Sequence, residues 1–245
     1  VKGILSIFIV PFLVTVAGAQ TAQEIIDRAE ELLKGETSQG VFKMTIITPN
    51  YTREMEMETY WKGNEKALIH IKSPRREAGN KTLKVGNEMW MYLHNTETTI
   101  KIPPSMMLQS WNGSDFTNDD IVRETNLIED YSLKIIGEET VDGELCWIIE
   151  LIPREDAAIV WGKLQYRVRQ TDYVPARIDY YDEHGDLIRY MEFSDIREHD
   201  ERMIPGTWTM HNNAKPGHKT RFEILEVEFD VPIGDRVFSL QELQR

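Results

Sequence analysis

The sequence predicts a mainly β protein with a few helices, an α+β chain built on one large meandering antiparallel sheet. Three observations predict it. The hydrophobic period changes from 3.6 to 2 soon after Gly35 and stays at 2 for most of the chain. The turns between the alternating runs repeatedly contain Gly beside Asn or Asp, as in Lys62-Gly63-Asn64, Gly86-Asn87, Asp142-Gly143 and His184-Gly185-Asp186. Only two stretches offer cover for so much sheet, the first helix and the segment from Met106 to Asp130. A β-sandwich and an open half-barrel with an apolar interior roofed by helices both satisfy these observations.

Residues 1–19 read as a cleaved secretory signal. Lys2 is a short positive start, Ile4 to Val16 is an apolar run too short to span a bilayer, and Ala17-Gly18-Ala19 is a small-x-small cleavage site. Residues 20–245 are then expected to form a single domain, because no low-complexity linker or break in composition divides them. A helix opens this domain. Thr21 and Glu24 form a capping-box pattern ahead of the stripe Ile25, Ile26, Ala29, Leu32 and Leu33, and Gly35 stops it.

Alternating runs follow. Phe42, Met44 and Ile46 share one face, as do Met55, Met57 and Thr59, then Ala67, Ile69 and Ile71. In the next run Met89, Met91 and Leu93 oppose Trp90, Tyr92 and His94, which are expected on the wetter face. Further strands are predicted at 132–136, 145–152, 163–169, 176–182, 187–196, 206–212 and 219–229.

Composition narrows the function. The formal net charge is −13 with no basic cluster beyond Arg75-Arg76, which argues against nucleic acid. It also argues against lasting residence on an anionic membrane, where each basic residue would contribute about 1 kcal/mol. The single cysteine, Cys146, sits in an apolar strand-like run and suits a buried thiol, and one cysteine allows no internal disulfide. An exported chain without disulfides points to a bacterial periplasm. No metal and no cofactor is expected: the six histidines show no paired spacing, and no zinc-binding, nucleophile-elbow or phosphate-loop motif occurs.

The densest group of polar residues is SWNGSDFTNDDI, Ser110 to Ile121. As a calcium loop it is poor. Asp115, Thr117 and Asp119 alternate, but Phe116 interrupts and no bidentate glutamate follows at the required distance. Helix capping fits better, with Thr117 as N-cap, Asp120 at the reciprocal position, and acidic residues in a first turn where the helix dipole favours them. Five methionines, Met44, Met55, Met57, Met89 and Met91, fall on the apolar faces of neighbouring strands. Methionine re-packs readily, which suits either ordinary core or the lining of a cavity for variable apolar guests.

The stretch SPRREAGNKTLKVGNEMWMYLHNTETTIKIPPSMMLQSWNGSDFTNDDI, from Ser73, resembles the LolA-like outer membrane lipoprotein-sorting families, with GSDFTNDD the most specific block. The later IPGTWTMHN and VPIGDRVFSLQEL are similar to the same group, so the likeness runs over nearly the whole exported chain. The chain is longer than the classical lipoprotein carrier and matches the wider group better. This resemblance implies an incomplete antiparallel β-barrel with helices over its open mouth. It implies a monomeric, non-catalytic periplasmic protein that carries acyl chains of lipids or lipoproteins between membranes. The partners it implies are an inner-membrane transporter and an outer-membrane acceptor. It also leaves room for a lipid-sensing regulator of the RseB type or an accessory subunit of an exporter. Strand alternation then nominates Phe42, Met44, Met55, Met57, Ile69, Met89, Met91 and Leu93 as cavity lining, with Met106, Met107, Trp111 and Phe116 at its lid or rim.

Overall fold

In a computed structural model the described residues are 20–123, 127–155, 157 and 159–245; the expected signal segment, 1–19, lies outside them. Helix α1 (Ala22–Lys34) starts at a complete capping box, with the Thr21 hydroxyl accepting from the Glu24 amide and the Glu24 carboxylate accepting from the Thr21 amide. It ends at Gly35, whose φ of 61° suits glycine, and where a side chain would meet Asp230 Oδ1 at 2.6 Å.

Six strands follow: β1 (Thr37–Ile47), β2 (Thr52–Lys62), β3 (Lys66–Ser73), β4 (Lys81–Val85), β5 (Glu88–Leu93) and β6 (Thr98–Lys101). After two short helices, α2 (Asn118–Arg123) and α3 (Leu127–Asp130), seven more strands complete the sheet. They are β7 (Tyr131–Val141), β8 (Glu144–Pro153), β9 (Lys163–Arg169), β10 (Pro175–Tyr181), β11 (Leu187–His199), β12 (Arg202–Asn212) and β13 (Lys219–Phe229). Helix α4 (Leu240–Leu243) comes last.

All thirteen strands form one antiparallel sheet in the order β6-β5-β4-β3-β2-β1-β13-β12-β11-β10-β9-β8-β7. The chain therefore makes two meanders, joined where the first strand pairs with the last. The sheet is open, as a half-barrel is, because its edges β6 and β7 do not meet. Bulges in β13, β7 and β10 bend it, and α1 lies on the inner side against β7, β9 and β12. The alternation read from sequence sets the register: Met44 faces Met55 on one side and Phe222 on the other, and Phe42 faces Met57 and Ile224.

The sheet parts between β12 and β13, which pair only from Thr207 to His211 on the β12 side. Pro205, which has no N–H to give, sits in the unpaired part. Arg197 spans the opening by donating to the Ile224 carbonyl at 3.0 Å. The last turn of α1 fills it, with Leu32 and Leu33 packed on Ile204, Ile224 and Phe229. Arg202 completes the plug by donating to the Glu31 carbonyl at 2.9 Å and pairing with Asp230, which satisfies a helix-end carbonyl.

One expectation needs correction. The Trp90–Tyr92 side of β5 is not the wetter face, because the C-terminal segment covers it. Phe238 and Leu243 pack with Leu68, Leu83 and Tyr92, and Trp90 packs against the same group. Lys81 ties this segment down by donating to the Glu242 carbonyl at 2.8 Å. Strands β3 to β5 thus bury both faces, and α1 and the 106–130 segment are not the sole cover. Phe238 is 6% exposed, so Phe238→Ala should lower the unfolding free energy by about 3 kcal/mol. Urea denaturation measures this, and a loss below about 1 kcal/mol would mean the segment is not docked in solution.

Candidate functional site

Because β6 and β7 are neighbours in sequence but lie at opposite edges, residues 102–130 must travel from one edge to the other. Of these, the described residues 102–123 and 127–130 lie over the inner face and roof it. The crossing begins with Ile102, whose amide donates to the Met89 carbonyl at 2.9 Å, and turns at Pro103-Pro104. Residues 110–117 then close a tight loop, with the Trp111 amide donating to Phe116 O at 2.8 Å and a bridge between Ser110 and Thr117. Asn112 and Gly113 take the left-handed conformations this loop requires, which asparagine and glycine tolerate best. Helix α2 starts at the expected capping box: Asp120 N–H donates to Thr117 Oγ1 at 3.1 Å, and Thr117 N–H donates to Asp120 Oδ2 at 2.6 Å.

Two sets of contacts pin this lid to the middle of the sheet. The first is aromatic. Trp111 is buried, donates from Nε1 to Thr82 Oγ1 at 3.2 Å, and stacks on Phe222 of β13, against which Phe116 stands edge-on at 5.1 Å. The second is polar. Asp115 takes hydrogen bonds from Thr220 Oγ1 of β13 at 2.9 Å and from Asn212 Nδ2 of β12 at 3.0 Å. Arg189 of β11 makes a two-pronged ion pair with Asp120, Nη1 to Oδ2 being 2.7 Å, and also donates to the Asp115 carbonyl at 3.1 Å. Both side chains of the pair are 4% exposed, and the guanidinium lies 4.5 Å from the ring centres of Trp161 and Tyr180.

Arg189 escaped the reading of the sequence, although the signal was present. It falls in phase with Met191 and Phe193 on the inner face, and an inward charge calls for a buried partner. The acidic loop supplies that partner, so its carboxylates do more than cap a helix.

Under the lid lies an apolar cavity of about 170 Å³. Phe42, Met57 and Ile69 line it from the first meander, and Trp111, Phe116 and Ile121 from the lid. Tyr166, Ile178, Met191, Phe193 and Trp208 line it from the second meander, and Leu33 from α1. Of the nominated residues, Phe42, Met57, Ile69, Trp111 and Phe116 therefore meet at this space. Met44, Met55 and Met89 are fully buried in a packed cluster beside it with Ile46, Ile71 and Ile102. Met91, Met106 and Met107 pack against the same cluster. Leu93, half-buried at the end of β5, belongs to neither group. The reason is geometric: the start of the lid packs onto β4 and β5 and fills that end, so the open space lies between β1–β3 and β9–β13. The lining from the second meander was readable in the same alternation, Leu164 and Tyr166 in one strand and Met191 and Phe193 in another.

One end of the inner face, beside the C-terminal turn of α1, is more polar. Ser38, Thr59, Glu30 and Lys34 line the cavity there. Two strands beyond Thr59, on β4, is Lys84, 1% exposed, whose Nζ donates to the Asn64 carbonyl at 2.6 Å. Burial, and secondarily the charge of Lys34, lowers its pKa to about 8. Among the described residues no group of three or more His, Cys, Asp or Glu is placed to hold a metal ion.

An open antiparallel half-barrel roofed by the crossing between its edges is the fold of the LolA superfamily. A LolA superfamily protein from Nitrosomonas europaea superposes with a TM-score of 0.78 at 22% identity, covering 91% of this chain and 100% of that one. A DUF1329 family protein from Desulfovibrio piger gives 0.82 at 23% identity over 91% and 97%. A putative outer membrane lipoprotein-sorting protein domain from Vibrio parahaemolyticus gives 0.77 at 20% over 91% and 97%. Residues 63–245 match a family model described as an uncharacterized protein, and the chain belongs to that family, with a LolA-like fold. No curated protein matches the chain.

Breaking the buried pair on one side leaves a charge without its partner. Asp120→Ala should therefore destabilise the protein by about 3–5 kcal/mol in urea denaturation, far more than a surface pair would. A double-mutant cycle with Arg189→Leu should show strong coupling between the two positions; additive losses would mean the pair is not formed.

Lys84 makes a pH-dependent contribution. Between about pH 8 and the ordinary lysine pKa of about 10.4, the unfolded chain holds more protons at this residue than the folded chain. Stability from this group therefore rises with pH across that window and is constant below it. The stability of the wild type relative to Lys84→Met should climb by about 3 kcal/mol from about pH 7 to about pH 10.5. A flat difference would mean the ammonium is well solvated.

Proposed function

We propose that this protein is a periplasmic carrier that binds acyl chains of lipids or lipoproteins in the lidded cavity and releases them elsewhere, without covalent chemistry. The observation that carries this reading is the apolar cavity closed by a lid that is fastened to the sheet by side chains, among them the Arg189–Asp120 pair and the Asp115 hydrogen bonds. A cavity of about 170 Å³ is close in size to engineered apolar cavities of about 150 Å³ that stay dry and accept a benzene ring. An acyl chain needs more room, so binding requires the lid to lift. Each buried CH₂ returns about 0.8 kcal/mol, so a long chain supplies on the order of 10 kcal/mol before the cost of opening. That gross gain exceeds the cost of parting one buried ion pair, about 3–5 kcal/mol.

The methionine cluster supports the same reading. Met44, Met55, Met57, Met89 and Met91 lie between the cavity and the start of the lid, where Met106 and Met107 press on them. Once the lid lifts, these unbranched side chains re-pack without strain and extend the groove toward β5. No described helix is long and apolar enough to cross a membrane, which suits a protein exported on residues 1–19 and working between two membranes. An inner-membrane transporter as donor and an outer-membrane acceptor complete the route.

Native mass spectrometry of the full chain isolated from a periplasmic extract should find bound lipid, and the delipidated protein should take up a fluorescent acyl probe. Asp120→Asn should speed that uptake by loosening the lid. Absence of lipid together with absence of uptake would overturn the carrier reading.

A further inference from the structure

The cavity is chemically lopsided. Its floor is organised in rungs, because residues opposite each other on antiparallel strands share a face. The rung containing Phe42 and Met57 is apolar. The next one toward α1 runs Gly40–Thr59–Ile69–Thr82, and the one after it Ser38–Trp61–Ala67–Lys84. Hydroxyl and charged groups thus collect at the α1 end, where the Glu30–Lys34 ion pair forms the rim. The opposite end is closed by Trp111, Phe116 and Phe222.

Within that polar end Thr59 stands out. It is 5% exposed and lines the cavity, yet its hydroxyl has no hydrogen-bond partner among the described residues. Thr82, on the same rung, has its hydroxyl occupied by the Trp111 indole. The residue opposite Thr59 is Gly40, which has no side chain to offer the hydroxyl a partner. Gly40 is held to glycine by its surroundings, since a Cβ there would lie 2.5 Å from the Glu226 carbonyl. A buried hydroxyl without a partner is costly, and valine would fill the same space on an apolar strand face at no such cost. The hydroxyl gains a purpose when a guest brings an acceptor atom to it.

We propose that Thr59 is a ligand-binding residue that donates a hydrogen bond to the carbonyl oxygen at the head of an acyl chain, the chain running from there toward Trp111 and Phe116. The proposal rests on the carrier reading and adds to it a direction: the polar head sits beside the α1 end, near the rim, and the methyl end lies under the lid. The carbonyl can belong to a free fatty acid or to an acyl ester, since both present the same acceptor oxygen.

The test is binding of decanoic acid, methyl decanoate and decane to the full chain, read by displacement of a fluorescent apolar dye. The wild type should prefer the carbonyl-bearing ligands. Thr59→Val should weaken them by about tenfold while leaving decane unchanged to within about twofold, and Thr59→Ser should restore the preference. Loss for the acid alone assigns the site to free fatty acids, and loss for the ester alone to acyl esters. Thr59→Val should melt no lower than the wild type, because it removes a hydroxyl that no described residue engages. Equal binding of all three ligands by wild type and Thr59→Val would overturn the subsite while leaving the carrier reading intact. Binding of none of them by the wild type would overturn both.

Discussion

The pairing of β1 with β13 is the constraint from which the rest of the architecture follows. It places the two ends of the strand series in the centre of the sheet and sends β6 and β7, adjacent in sequence, to the two outer edges. The connection between them has to cross the full width of the sheet. A backbone that crosses an apolar surface must satisfy its own polar groups. The lid does so with a self-bonded loop at 110–117 and a capped helix, and it borrows polar side chains from β11, β12 and β13 at the midpoint. The cavity is the space this crossing leaves between itself and the inner faces of the two meanders.

Packing on the inner face follows a gradient set by the same crossing. Where the lid starts, next to β5, it lies close and its methionines meet those of the sheet, so the interior there is dense. Where it moves on toward α3, aromatic rings from β9 to β13 hold the two layers apart and the interior is hollow. Rings keep a shape that flexible thioethers do not. Under one roof the interior is therefore thioether-rich beside β5 and ring-lined beside β9–β13.

Much of this was legible in the sequence, and the parts that were not have identifiable causes. Period-2 alternation fixed which side of each strand faces inward, and pairs such as Met44 with Met55 obey it. The capping boxes at Thr21 and Thr117 were readable because they are local. Strand order was not, because nothing local announces that β1 will pair with β13, and without that order the hollow half could not be told from the filled one. This is why Met44, Met55 and Met89 read like cavity lining and pack as core, while Tyr166, Met191 and Phe193 went unnominated. The cover on the outer face of β3–β5 was missed because Leu240–Leu243 is a single helical turn, too short to show a 3.6-residue period.

Asp120 is shared between two tasks. Its carboxylate accepts the Thr117 amide that begins α2, and it also neutralises Arg189 in the wall of the sheet. Withdrawing it from the guanidinium alters the first turn of the helix, and unwinding that turn loosens the grip on the guanidinium. The start of α2 and the seal of the roof therefore share one carboxylate, so neither can be changed without the other.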